Sequence, residues 1–487
     1  MRDTLLLINL SKSTSRAVAK KLRGEGYFCL IVSPDEPLEA FVAPETRGLV
    51  ICGASKGTAP EMPDPEKLAS FGLPILAFGD AALGICQSMG GSAVPFGDGP
   101  RPVRVSSDSQ EPLLTGIQEA ERYLEAPACM NLPSDFHPVA WTSEGGVIGF
   151  AWNTKPVYGF AFQVEANDPE GVRLLQNFAG TVCGCEAWWS DTAFIDSAAD
   201  EIRREADGGE AICAVSGGVD SAVCAALGAL ALGEKMRCIF VDTGLLRQGE
   251  ADDIMQNLQH IAGLKIDRID AAEEFLEALK GVRDSREKEQ IIYARLRAHI
   301  RHEVRDLPDV RLILQGTNYS DTFGTSLSMR SELSGARVRL LEPVRFLFKD
   351  EIRRVAQALR LPEAVCKRQP FPSSGLALRI VPEVTAEHLR QLQEADRIVR
   401  DEIESQGLNK RLWQYYASLY ENPAEDRGRI IITIRAVQAL ERGAVAARLP
   451  NDVIERMTER IMKGIPGVAR VFYDMTPSQS YGRIEWS

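Results

Sequence analysis

The chain has 487 residues, 45% hydrophobic and 25% charged, the balance of a soluble globular protein and a length that predicts two to four domains. Its formal net charge of −12 excludes a broad nucleic-acid-binding surface but leaves room for a local basic pocket for phosphates. No apolar run is long enough to span a bilayer, and Met1-Arg2-Asp3 leads straight into a strand-like run, so neither membrane nor secretory signal is expected.

Residues 1 to about 190 alternate strand-like runs (Thr4 to Leu10, Gly48 to Cys52, Pro74 to Phe78, Val147 to Trp152, Val157 to Phe162) with helical segments such as Thr14 to Gly24. That alternation predicts a doubly wound α/β layer. The ten cysteines are dispersed; Cys52, Cys213 and Cys238 lie in apolar runs, where a thiol is a small hydrophobe. Cys183-Gly184-Cys185 has close spacing but no second pair or nearby His to complete a zinc site. A reducing cytoplasm fits this usage. The alternation lapses around Trp188 to Thr192, and a charged helix, Ala198 to Ala206, follows.

Next comes the most informative stretch, Ser216-Gly217-Gly218-Val219-Asp220-Ser221. It lies between an apolar strand-like run, Ala211 to Val215, and an Ala/Leu-rich helical segment starting at Ala222. Glycines let the backbone turn tightly against a ligand, and the new helix offers unpaired N–H groups and a positive dipole end. Ser216 and Ser221 add hydroxyls, and Asp220 adds a carboxylate able to hold hydrated Mg2+. The arrangement suits a pyrophosphate, and it is not a Walker loop because no Gly-Lys-Ser/Thr ends it.

The domain continues to about Arg379 with strands Arg237 to Val241 and Arg311 to Gln315, a second parallel sheet. Val241-Asp242 and Gly316-Thr317 stand at strand ends, where open α/β sheets bind ligands. Asp321 follows closely, and Lys349 opens a helix, a cation placed where phosphates would collect. Beyond Pro382 a long helix (Ala386 to Gln406), strand-like Arg429 to Arg435, a helix (Asn451 to Met462) and a strand near Val468 to Asp474 predict a small α+β module.

The six-residue loop resembles the signature of PP-loop ATP pyrophosphatases, and the longer runs resemble the GMP synthetases. The run from Arg368-Gln369-Pro370-Phe371 through Gly375 to Arg379 is similar to that family's R-H-P-F-P-G-P-G-L-A-I-R, and Val241 to Arg247, Phe275 to Val282, Ile465 to Val468 and Ile484-Glu485-Trp486 match as well. The resemblance implies three domains: a class I glutamine amidotransferase-like flavodoxin-type layer (1–190), an ATP pyrophosphatase domain (195–379) and a C-terminal dimerisation domain (380–487). It implies adenylation of the C2 oxygen of XMP by ATP with Mg2+, then attack by ammonia to give GMP. ATP would lie against Ser216 to Ala222, Val241, Asp242, Gly316, Thr317 and Asp321, with Asp220 placing the metal and Lys349 supporting the leaving pyrophosphate. The nucleotide would meet Arg247, Pro370, Phe371, Gly375, Arg379, Arg483 and Glu485, with Arg427 and Arg429 as further phosphate ligands.

The same resemblance implies a degenerate amidotransferase triad. Gly79 stands where the family has its elbow cysteine, Gln163 replaces the general-base histidine, and Glu165 remains. Without thiol or imidazole no acyl-enzyme can form, so glutamine hydrolysis is expected to be absent and ammonia to come from solution or a separate glutaminase. Cys86, seven residues past the elbow, is read as a buried thiol rather than a displaced nucleophile. The lid is shortened to roughly Ser326 to Arg339, and a terminal phosphate-gripping lysine is missing. These departures leave two alternatives, the same chemistry on another acceptor or a silent regulatory paralogue.

Overall fold

The computed structural model describes residues 2–53, 64–96, 99, 101–108, 110–117, 119–124, 128–164, 168–259, 261, 264–319, 321, 338–424, 430–440 and 443–477. The chain forms two compact units, Met1–Phe194 and Ile195–Ser487.

The first unit is built on a nine-stranded sheet. Five strands run parallel, in the spatial order Cys29–Val32, Thr4–Asn9, Thr46–Cys52, Ile75–Phe78 and Val157–Phe160. Thr4–Asn9 and Ile75–Phe78 are buried along their whole length, as expected of apolar runs covered on both faces. Four further strands extend the sheet antiparallel: Val147–Trp152, Phe136–Thr142, Arg101–Ser107 and Ala120–Leu124. The expected doubly wound layer is therefore only the parallel half. Short reversals such as Ser143 to Gly146, where Gly145 has φ +83°, build the rest as hairpins.

The second unit opens with a five-stranded, all-parallel sheet ordered Lys265–Asp270, Met236–Asp242, Glu210–Ala214, Val310–Leu314 and Arg339–Leu341. The chain winds outward one way from Glu210–Ala214, then returns to its other side. The switch in direction opens a crevice between the carboxyl ends of Glu210–Ala214 and Val310–Leu314. A second sheet pairs Ile430–Leu440 with Gln414–Glu421, Gly443–Ala446 and Val468–Asp474. Helices Ala386–Ser405 and Asn451–Gly464 join this sheet in one hydrophobic core that also takes in Leu245, Phe275, Leu279 and Leu376. The boundary expected at residue 379 thus falls inside a shared core.

Lys288 ties this junction together. Its side chain is fully buried on helix Ser285–Asp306, and its Nζ donates to Ile380 O at 2.6 Å and Pro382 O at 2.7 Å. Burial pushes its pKa down to about 8, yet the neutral amine keeps two N–H groups for those two carbonyls. Lys288→Met is expected to leave them unpaired and cost about 2–3 kcal/mol in urea unfolding. The folded state sheds this proton before the unfolded chain does, so this group's contribution improves as pH rises from about 8 toward the ordinary value of 10.5. The substitution should flatten that slope; an unchanged midpoint and slope would contradict the assignment.

Candidate active site

The phosphate loop leaves strand Glu210–Ala214 and enters helix Val219–Leu232 at the mouth of the crevice. Gly217 has φ +74°, and a Cβ there would strike Ile254 and come within 2.8 Å of Arg368 Nη1. Ser221 braces the loop from inside: its Oγ accepts from Ser216 N at 3.2 Å and donates to Gly218 O at 3.1 Å. Ser216 Oγ lies 3.3 Å from Ser221 Oγ and accepts from Gly218 N at 3.4 Å. Val219 and Ala222 are buried, and Ala222 N makes an early helical bond to Gly218 O at 3.1 Å. Across the crevice, Gly316 lets the end of strand Val310–Leu314 approach so closely that a Cβ would lie 2.7 Å from Ser221 N.

Asp220 is the chemical centre. Its Oδ2 accepts from Lys349 Nζ at 2.5 Å and from Asn318 Nδ2 at 3.2 Å. Its Oδ1 is buried and has no hydrogen-bond partner among the described residues. Asp321 lies beside this group and accepts from Asn318 N at 3.0 Å; burial and then the nearby Asp220 push its carboxyl pKa up. Thr317 is turned away, donating to Glu342 Oε1 at 2.6 Å. No group of three or more His, Cys, Asp or Glu fit to hold a metal occurs among the described residues. A magnesium ion needs only one or two carboxylates when phosphates and water complete its shell, and the unpaired Asp220 Oδ1 fits that demand.

The remaining predicted residues divide into groups. Asp242 closes its own turn, accepting from Gly244 N at 3.0 Å, and pairs with Arg268 Nη2 at 2.6 Å; Val241 packs into the core beside it. Phe371 carries the guanidinium carbons of Arg247 and Arg379 at 4.4 and 5.3 Å from its ring centre. Arg379 is fully buried, 4.1 Å from the ring centre of Tyr416, and desolvation lowers its pKa to about 10. Arg247 is buried with Nε 2.8 Å from Asp396 Oδ2. In this structure both arginines are junction residues without a solvent-facing guanidinium. Gly375, at φ +71°, brings its backbone against Leu245 O, where a Cβ would clash. Pro370 lines a cavity of about 270 Å³ with Arg353, Lys367, Arg368 and Trp413. Arg483, Glu485, Arg427, Arg429, Glu165 and all but the last residue or two of the shortened lid lie outside the described residues.

Sequence reasoning did not single out Asn318, Glu250, Asp396 or the role of Arg368. Arg368 stood inside a quoted motif, but no local pattern marks the other three.

In the first unit, Gly79 joins strand Ile75–Phe78 to helix Asp80–Ser88 with φ +58° and ψ −132°, the sharp elbow expected there. Gln163 fills the place of a side chain: a Cβ on Gly79 would collide with Gln163 Nε2, which donates to Gly53 O at 3.1 Å. Cys86 is buried, its Sγ lies 3.6 Å from Asn131 O, and burial raises its pKa, so it is an inert thiol. Cys183 and Cys185 are free thiols, as are all ten cysteines.

The family model of the GMP synthase C terminal domain matches residues 401–486, and that of NAD synthase matches residues 193–410. A GMP synthase [glutamine-hydrolyzing] of Caldicellulosiruptor saccharolyticus is 34% identical, the alignment covering 99% of each chain. That of Aquifex aeolicus is 33% identical over 100% of this chain and 99% of its own. The crystal structure of a glutamine amidotransferase from Thermotoga maritima covers 40% of this chain and 90% of its own at 14% identity, with a TM-score of 0.29.

The close approach at Gly316 is open to test. Gly316→Ala would set a methyl against backbone rather than a flexible side chain, and about 1–3 kcal/mol of stability should be lost with the crevice geometry. Thermal unfolding together with calorimetric titration of pyrophosphate checks this; a variant equal to the parent in both would contradict the close packing.

Proposed function

The chain belongs to the GMP synthase family, and on that premise we propose that it converts XMP to GMP with ATP and ammonia. The observation that carries the site assignment is Asp220: a half-buried carboxylate at the start of a phosphate-loop helix, one oxygen paired with Lys349 and the other, buried Oδ1, unpaired. The loop N–H groups and the helix N-terminus receive the ATP phosphates. Asp220, with Asp321 beside it, would hold Mg2+, which when bound would supply charge neutralisation on the polyphosphate. Lys349, 2.5 Å from Asp220 Oδ2, places a cation at the loop where it would support the departing pyrophosphate.

In this reading the C2 oxygen of XMP attacks the α-phosphorus, the bond to pyrophosphate breaks, and the adenylated oxygen becomes a good leaving group. Ammonia then attacks C2, loses a proton, and AMP leaves with the oxygen. Neither a different acceptor nor a silent paralogue finds support in the relatives.

The ammonia source is where this chain parts from its named relatives. With Gly79 lacking a side chain and Gln163 lying over it, the elbow has no thiol or imidazole among the described residues. We infer that it does not hydrolyse glutamine and that ammonia arrives free or from a separate glutaminase. Phe472, Met475 and Met462 are exposed apolar side chains on the C-terminal module, and they support a homodimer formed there. Among the described residues no helix is long and apolar enough to cross a membrane, and the free cysteines support the cytoplasm as the site of action.

The test is GMP formation from XMP and ATP with ammonium chloride or with glutamine. GMP should accumulate with ammonium and stay at background with glutamine; equal rates with both would refute the loss of glutaminase. Gly79→Cys alone should remain inactive with glutamine because Gln163 blocks the new side chain. Only the pair Gly79→Cys with Gln163→His should react with a glutamine-analogue affinity label, read by mass spectrometry.

A further inference from the structure

A continuous chain of contacts runs from the C-terminal module to the phosphate loop. Asp396, fully buried on helix Ala386–Ser405, accepts from Arg247 Nε at 2.8 Å. The backbone N of Arg247 donates to Glu250 Oε2 at 3.0 Å. The other oxygen of Glu250 accepts from Arg368 Nη2 at 2.6 Å, and Arg368 Nη1 donates to Ser216 O at 3.2 Å. Arg368 and Glu250 are mostly buried, their side chains 17% and 11% exposed, so water screens this ion pair little.

The last contact has a geometric consequence. The Ser216–Gly217 peptide bond is trans, so the Ser216 carbonyl and the Gly217 N–H point in opposite directions. Anchoring the carbonyl therefore fixes the aim of the amide. Gly217 is the residue that most needs such a hold, because glycine crosses between backbone regions more freely than any other residue and here sits at φ +74°. The guanidinium fork suits the task, since one arm meets a carboxylate while the other meets a carbonyl.

We propose that Arg368 is a positioning residue of the phosphate loop: Glu250, backed by the Arg247–Asp396 pair, holds it so that it anchors the Ser216 carbonyl and turns the Gly217 N–H toward the bound polyphosphate. This rests on the reading of the loop as the polyphosphate site. It assigns the C-terminal module a part in nucleotide affinity through Asp396, and it gives the buried charge cluster at the junction a task besides cohesion.

The test uses the full chain and Glu250→Gln, Arg368→Lys and the double variant. Calorimetric titration with magnesium pyrophosphate gives affinity, steady-state assays give KM for ATP and kcat, and thermal unfolding gives stability. Each single variant should bind pyrophosphate about tenfold more weakly and raise KM for ATP more than it lowers kcat, and the double variant should be no worse than the weaker single. Lysine should fail to substitute because one ammonium cannot span both partners. Full affinity in Arg368→Lys would show that charge alone suffices and overturn the anchoring. Lowered unfolding temperatures with unchanged affinity and KM would reduce the chain of contacts to a purely structural role and overturn it too. A parent protein that binds no pyrophosphate would sink the loop assignment itself, an outcome distinct from variants that merely match a binding parent.

Discussion

The second unit depends on holding a carboxylate at the start of a helix, in a crevice between two parallel strands. Asp220 satisfies one oxygen with Lys349 and Asn318 and leaves the other unpaired. A buried unpaired carboxylate oxygen is costly for folding unless a partner arrives, and a metal ion carrying phosphates is such a partner. On the proposed assignment, cation and carboxylate are already in place and would exchange one interaction for another when a metal-bearing phosphate ligand binds. Gly316 and Gly217 make this possible by removing side chains where the Ser221 backbone and the side chains of Ile254 and Arg368 come close.

That crevice is not built by the parallel sheet alone. The segment Arg368 to Arg379 follows helix Glu363–Cys366, touches the loop through Arg368 and enters the shared core with helix Ala386–Ser405. Along the way Arg379 is sealed against Phe371 and Tyr416, and Lys288 clamps the carbonyls of Ile380 and Pro382. Burying arginines around Asp396 is expensive; Arg247 offsets it by pairing with that carboxylate, and Arg379 by resting on the rings of Phe371 and Tyr416 with Asp396 Oδ1 3.7 Å away. A site residue chosen for its charge can therefore be a structural one, as Arg247 and Arg379 are in this structure.

Much of this was legible in the residues. The strand–loop–helix around Ser216 to Ser221 announced itself, because glycines followed by a helix-forming Ala/Leu run leave few other readings. Apolar runs such as Thr4 to Leu10 revealed the parallel strands, since burial on both faces writes a continuous hydrophobic signal. The antiparallel strands Arg101–Ser107 and Ala120–Leu124 escaped notice, because half-exposed strands carry polar residues at alternate positions. Lys265–Asp270 escaped because this edge strand is mostly exposed and its two isoleucines stand three apart, which breaks the two-residue period. Contacts such as Glu250 with Arg368 and Asp396 with Arg247 join residues more than a hundred positions apart, and no local pattern encodes them. The elbow shows the converse: the loss of thiol and imidazole was readable, but the way Gln163 occupies the space over Gly79 was not.

The central claim is that an adenylyl group passes to the carbonyl oxygen of the acceptor. XMP labelled with oxygen-18 at C2, incubated with ATP, magnesium and ammonium, tests it directly. The account predicts the label in the phosphate of AMP alongside unlabelled pyrophosphate; label recovered in water or in pyrophosphate, with AMP unlabelled, would contradict it.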